Sequence, residues 1–255
     1  MFKFLVVAVA ALGPPIALLR WFVASDRFPQ RPDRILGAFW LGTLIAPAMG
    51  FLMPLRVLWA GHPDPAVAAL RDAFFGAALP EEGLKWLVLW FYAARRGLLR
   101  DPMDGVVFGA TASLGFAAAE NLMYVMMAPD WLATAAQRGL TAVPAHAAAG
   151  VIMGTHLGLA ALEPSRRARH VALSFLAPVA LHGLYDWPLL TMRAAVARGL
   201  FPSGPFQTAM YAAVVVVLVA GFLRARHLFR RARAAQAARL RPGPWGGPPA
   251  NDDGR

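Results

Sequence analysis

The sequence predicts an all-α fold: a polytopic transmembrane helix bundle of about seven spans, with an eighth left open by one proline-interrupted run. Three observations predict it. Hydrophobic residues make up 58% of the 255 and charged residues only 15%, a balance in which water is not the main solvent. Apolar runs of the roughly 20 residues that a spanning helix needs recur along the chain. The basic residues, which set a net charge of +11, fall in short clusters between those runs instead of on one soluble face. That pattern reads as topology signalling and argues against nucleic-acid binding. The 21 Pro and 23 Gly do not oppose helices, because in a membrane neighbouring helices re-satisfy the freed backbone groups. Cys is absent, which excludes disulfides, thiolate metal sites and a cysteine nucleophile. Any metal would need His and carboxylate ligands.

The first run, 4 to 24, has Lys3 as its only basic flank, is interrupted by Pro14 and Pro15, and lacks a clean small-residue cleavage site. It is expected to be a retained span and not a secretory signal. The second, 35 to 59, contains Pro47 and Pro54 and is expected to be kinked or broken, which leaves room for an eighth span or a re-entrant element. Further runs fall near 73 to 94, 104 to 127, 140 to 162, 171 to 190 and 206 to 223. Cytoplasmic loops accumulate Lys and Arg. With the N-terminus outside, the groups Arg20/Arg27/Arg31/Arg34, Arg95/Arg96/Arg100, Arg166/Arg167/Arg169 and the C-terminal arginines all fall on the cytoplasmic side. The expected organisation is one membrane-embedded domain over 1–223, with its chemistry within about 72–190, then a basic cytoplasmic helix over 224–241 and a disordered tail over 242–255. The basic helix is expected to run along the inner leaflet, where each Arg near an anionic surface contributes about 1 kcal/mol.

Ionisable groups inside a span cost about 2.5–3.5 kcal/mol each at the helix centre, and are by default functional or paired. Here they are Glu81, Glu82 and Lys85 on the third run, Glu120 on the fourth, His146 and His156 on the fifth, and His182 and Asp186 on the sixth. Counted from the outer end of each run at about 1.5 Å per residue, Glu82, Glu120, His146 and His182 all fall roughly 9 to 14 Å deep. The helices alternate in direction, so a shared polar pocket is what predicts this common layer. His156 is ten residues beyond His146 and about 80° away around the helix, and is expected to be structural.

Lys85 lies four residues from Glu81 and three from Glu82, so its ammonium can neutralise one carboxylate and leave the other free as a general base. Adjacent carboxylates in a poorly solvated site resist simultaneous ionisation. His182 and Asp186 are four apart, so the carboxylate can orient the imidazole. Gly105, Gly109 and Ser113, and Gly150, Gly154 and Gly158, recur at four-residue spacing, the pattern of close helix packing.

Four segments stand in order inside these runs: EEGLK at 81–85, DGVVFGATASLGFAAAEN at 104–121, PAHAAAGVIMG at 144–154 and HGLYD at 182–186. An EExxK alone is common on any helix, but the ordered set is specific. Together they resemble the PrsW family of intramembrane proteases, itself similar to the CAAX prenyl protease and bacteriocin-processing superfamily. The resemblance implies hydrolysis of a peptide bond in a membrane-anchored protein near the extracytoplasmic face, with Glu81, Glu82, Glu120, His146 and His182 catalytic and Lys85, Asn121 and Asp186 supporting. Two mechanisms are open. In one, His146, His182 and Glu120 hold zinc while Glu82 or Glu81 takes the proton. In the other no metal is used; a glutamate activates water, and the histidines with Asn121 stabilise the oxyanion. Spacing does not choose between them, since no HExxH is present. The implied location is a bacterial inner (plasma) membrane, and the implied partners are the lipid bilayer and a single-span regulator such as an anti-sigma factor.

The same residues admit other readings. Glu81 with Lys85 has a structural reading as a buried ion pair, and His182 with Asp186 as a polar clamp. A proton-coupled transporter or channel also uses Glu, His and Asp. A relay, however, strings its groups across the bilayer, and these cluster in its outer half.

Overall fold

The computed structural model of the chain describes residues 2–51 and 62–239, and every regular element among them is helical. In order they are α1 (Phe2–Ala24), α2 (Pro32–Ala48) ending in a 3-10 turn (Met49–Phe51), α3 (Pro65–Arg71), α4 (Leu79–Leu89), α5 (Pro102–Met127), α6 (Trp131–Leu140), α7 (Ala142–Leu162), α8 (Arg167–Ala197) and α9 (Gly204–Arg239). Pro54, which with Pro47 left room for an eighth span, and the expected tail 242–255 lie outside the described residues.

Among the described residues, five stretches are long and apolar enough to cross a membrane: Leu5–Ala24, Pro32–Phe51, Pro102–Met127, Trp131–Leu162 and Gly204–Ala238. The other two expected spans are present as helix, from α3 through α4 and as α8, and they are the ones that carry Glu81, Glu82, Lys85, His182 and Asp186. Their charge, not their length, lowers their hydropathy.

α5 and α7 form the interior, buried over most of their length, while α1, α2 and α9 leave much of their surface uncovered by protein. Leu5, Leu44 and Val216 are each more than 60% exposed, as suits a surface solvated by lipid. The α5–α7 seam is made by the glycines singled out in the sequence. A Cβ at Gly109 would fall on the Gly150 carbonyl, and one at Gly105 on the Gly154 carbonyl. Only glycine lets these backbones approach so closely. Ser113 continues the seam against Gly150.

α5 starts at a reciprocal cap that fixes its axis. Asp101 Oδ1 accepts from the backbone N–H groups of Met103 and Asp104 at 2.7 and 3.1 Å, while Asp104 Oδ2 accepts from the Asp101 N–H at 3.0 Å. α4 is bracketed by two wider π-helical stretches, Asp72–Ala78 and Trp90–Ala94. The first precedes Pro80, whose ring excludes an ordinary α-helical turn behind it; the Leu79 N–H instead reaches back five residues to Phe74 O.

The basic stretch after residue 224 is not a separate surface helix. α9 runs unbroken to Arg239, and one face, Ala225, Leu228, Ala232 and Gln236, is buried against the bundle. Gln236 Nε2 donates to Asp26 Oδ1 at 2.7 Å and to Asp101 Oδ2 at 3.2 Å, and its Oε1 accepts from the Arg27 N–H at 3.2 Å.

Candidate active site

At the other end of α5, Glu120 lies sixteen residues beyond Asp104, about 24 Å along the axis. It opens on a cavity of about 410 Å³ lined by residues of α4 to α8 and of the stretch before α4. Glu81, Glu82, Glu120, His146, His182 and Asp186 all line it. The ionisable residues that the sequence placed in one layer thus converge on one pocket, from four different helices.

Lys85 is the hub. Its side chain is fully buried; Nζ donates to Glu82 Oε1 at 2.7 Å, lies 3.1 Å from His146 Nδ1 and sits 4.0 Å above the Phe116 ring. Glu81 Oε2 is farther, at 3.9 Å. One glutamate is therefore neutralised and the other left free, as the i+3 and i+4 spacings allow. An ammonium only donates and a carboxylate only accepts, so the neighbours fix the imidazoles. His146 accepts at Nδ1 from Lys85 and donates from Nε2 to Glu120 Oε2 at 2.9 Å. His182 donates from Nδ1 to Glu82 Oε1 at 2.8 Å, which leaves its Nε2 facing Asp186 Oδ2 at 3.2 Å and Glu81 Oε2 at 3.8 Å. The two rings meet edge to face with centroids 5.4 Å apart.

Glu81 Oε2 is buried and accepts no hydrogen bond from any described residue. A buried carboxylate oxygen in that state is a place for a cation, a proton or a substrate group. Glu81, His146 and His182 each offer a ligand atom within 4.8 Å of the others. Two imidazoles and one carboxylate suit zinc. The residues fit such an ion with two exchanges: His146, whose nitrogens face Lys85 and Glu120, would give up one of those bonds, and His182 would turn Nε2 from Asp186. The expected ligand Glu120 is engaged elsewhere, its Oε2 held by His146 and by Arg138 Nη2 at 2.7 Å, so the geometry offers Glu81 in its place.

Asn121 differs from its expected role. It does not line the cavity: its Nδ2 donates to Ala11 O at 2.6 Å and its Oδ1 accepts from Arg138 Nε at 2.9 Å. Fully buried and turned toward α1, it presents no donor to the cavity. His156, expected to be structural, stacks on His170, with Nδ1 atoms 3.1 Å apart, and faces Arg224, away from the cavity. Sequence reasoning missed Arg138, on the short helix α6, as well as Tyr124 beneath its guanidinium and Tyr185, whose hydroxyl donates to Thr141 Oγ1 at 3.0 Å. In the sequence Arg138 lies between two apolar runs and reads as a loop charge, and no spacing links it to Glu120.

A family profile described as PrsW family intramembrane metalloprotease matches residues 30–222. The chain belongs to the PrsW family. Similar proteins include Protease PrsW of Geobacillus kaustophilus (strain HTA426), 36% identical over 75% of this chain and 84% of the relative. Protease PrsW of Bacillus subtilis (strain 168) is 34% identical over 72% and 82%, and that of Clostridioides difficile (strain 630) 26% identical over 71% and 77%. No solved structure matches the chain. The PrsW-like endopeptidase expected from four short segments is thus an intramembrane protease by family, and an integral membrane protein acting on a membrane substrate. The match also extends beyond residues 72–190 into α2 and α9.

Proposed function

We propose that this PrsW-family chain hydrolyses a peptide bond of a single-span regulatory protein, such as an anti-sigma factor, just inside the extracytoplasmic face. What carries the reading is the convergence of Glu81, Glu82, Glu120, His146 and His182 on one cavity at the end of the bundle opposite the arginine clusters. By the charge bias of the loops, that end is extracytoplasmic, with the N-terminus outside and the C-terminus in the cytoplasm.

Glu81 is the general base. Its carboxylate takes a proton from water as the oxygen adds to the scissile carbonyl carbon, and returns it to the amine nitrogen as the C–N bond breaks. His182, held at Nδ1 by Glu82, turns Nε2 from Asp186 toward the negative charge that develops on the carbonyl oxygen. Lys85 holds Glu82 as the fixed anion of the pair. In the alternative metal chemistry Glu81 is a ligand and not the base, and a zinc ion held by it with His146 and His182 would supply Lewis-acid polarisation of that carbonyl.

Comparing the membrane proteome of cells with and without an active copy identifies the substrate. Glu81→Gln, Glu82→Gln, Glu120→Gln and His182→Ala should each abolish its cleavage while the protein still inserts. Wild-type cleavage in all four variants would refute the assignment. A chelator separates the two chemistries: activity lost and regained with zinc requires the metal, and unchanged activity requires a glutamate acting alone.

A further inference from the structure

The EN pair at the end of the second motif is only half used by that chemistry: Glu120 meets His146, while Asn121 points away from the cavity. The contacts of Asn121 lead instead to Arg138. Asn121 is fully buried, is fixed on the α1 carbonyl of Ala11 at 2.6 Å and accepts from Arg138 Nε at 2.9 Å. The guanidinium is held on its other side by the Tyr124 ring at 4.1 Å, and its Nη2 donates to Glu120 Oε2 at 2.7 Å. That same oxygen accepts from His146 Nε2 at 2.9 Å. We propose that Arg138 is a positioning residue of the site: Asn121 and Tyr124 aim it, it clamps Glu120, and Glu120 holds the Nε2–H and the orientation of His146.

The argument rests on donor count. A Glu120 side chain free to rotate would leave His146 hydrogen-bonded only at Nδ1, to Lys85, with its Nε2–H lacking a fixed acceptor and the ring free to tilt. With Arg138 in place, Glu120 Oε2 has two donors converging on it from different helices, α6 and α7, so its position is determined and it is not available as the base. That is consistent with Glu81, whose Oε2 accepts no hydrogen bond, taking that role. Arg is suited where Lys is not, because one rigid fork bonds Asn121 through Nε and Glu120 through Nη2 while stacking on Tyr124. The clamp also gives α6 a purpose: this ten-residue helix brings Thr134, Gln137 and Arg138 over the cavity.

The inference rests on the proteolytic reading only for its kinetic arm. Full-length protein carrying ring-¹⁵N histidine, in detergent and dialysed against EDTA, is compared as wild type, Arg138→Gln, Arg138→Lys and Asn121→Ala. In the wild type, His146 should show a single Nε2–H tautomer. Arg138→Gln should keep that tautomer but weaken the Nε2–H hydrogen-bond shift and speed its exchange with water while His182 keeps its signature, and Arg138→Lys and Asn121→Ala should fall between. Cleavage of the substrate found by proteome comparison should drop about 10- to 100-fold in kcat for Arg138→Gln, the usual effect of removing a partner that orients a ligand residue, with KM nearly unchanged. An unaltered His146 signature in a folded Arg138→Gln variant overturns the clamp, whatever happens to cleavage. A raised KM with kcat intact makes Arg138 a substrate contact and overturns it too. If the wild type cleaves nothing, the proteolytic reading fails, while the histidine signature still decides the clamp.

Discussion

Replacing Lys85 with Met tests whether the buried charges at the bottom of the cavity form one unit. The substitution keeps most of the side-chain volume and removes the ammonium that donates 2.7 Å to Glu82 and lies 3.1 Å from His146. Neither the Glu82 nor the Lys85 side chain has any solvent-exposed surface, so water cannot take the missing place. At 2.7 Å and an effective dielectric of about 20, the attraction between the two charges is about 6 kcal/mol. Desolvation offsets part of it, and breaking such a pair costs about 3–5 kcal/mol net. In thermal unfolding followed by tryptophan fluorescence in detergent, that is a fall of about 6–20 °C. The double variant Glu82→Gln/Lys85→Met leaves no charge unpaired and should recover most of the loss. Substrate cleavage should stay abolished in both. A single variant melting within about 2 °C of wild type, or a double variant no more stable than the single, would refute the picture of a coupled buried pair.

Gly109→Ala should cost about 1–3 kcal/mol and shift α5 from α7, because the new Cβ meets the Gly150 carbonyl. Since Glu120 and His146 ride on those two helices, cleavage should fall about 100-fold for a 1 Å displacement. Gly13→Ala, whose Cβ meets nothing within 4 Å, serves as the control and should be neutral or stabilising in the same melting assay. Gln236→Leu removes the donor to Asp26 and Asp101 and should lower stability by about 1–3 kcal/mol with the turnover of the folded enzyme unchanged. Loss of turnover there would show that the α9 contact reaches the cavity.

The fold and the membership of the site were legible because a low-dielectric solvent makes each ionisable residue conspicuous. Glu82, Glu120, His146 and His182 stood out against apolar runs, and counting along alternating helices put them at one depth. The glycine periodicity of α5 and α7 announced their seam for a similar reason, since little but close packing needs four-residue glycine spacing in a membrane. What failed to show lies where the sequence signal is short or non-local. Arg138 belongs to a ten-residue helix between two spans, where a lone arginine looks like any loop charge, and its partner is eighteen residues away on another element. Asn121 follows Glu120 in sequence, yet the roughly 100° between neighbours on a helix turns it toward α1 and out of the pocket. The docked face of α9 left a readable trace in Ala225, Leu228, Ala232 and Gln236, at spacings of three and four, but the arginines around it masked the pattern.

The two wide turns bracketing α4 decide where its carboxylates point. A π-helical bulge takes one residue more than an α-helical turn, and one residue on a helix is worth about 100° of rotation. A chain one residue shorter between Arg71 and Pro80 could close into ordinary helix and still traverse the bilayer. Its acidic pair would then be swung away from both imidazoles relative to α3. Length variation in that stretch is invisible to a hydropathy profile, yet within this family it would divide working proteases from well-folded bystanders.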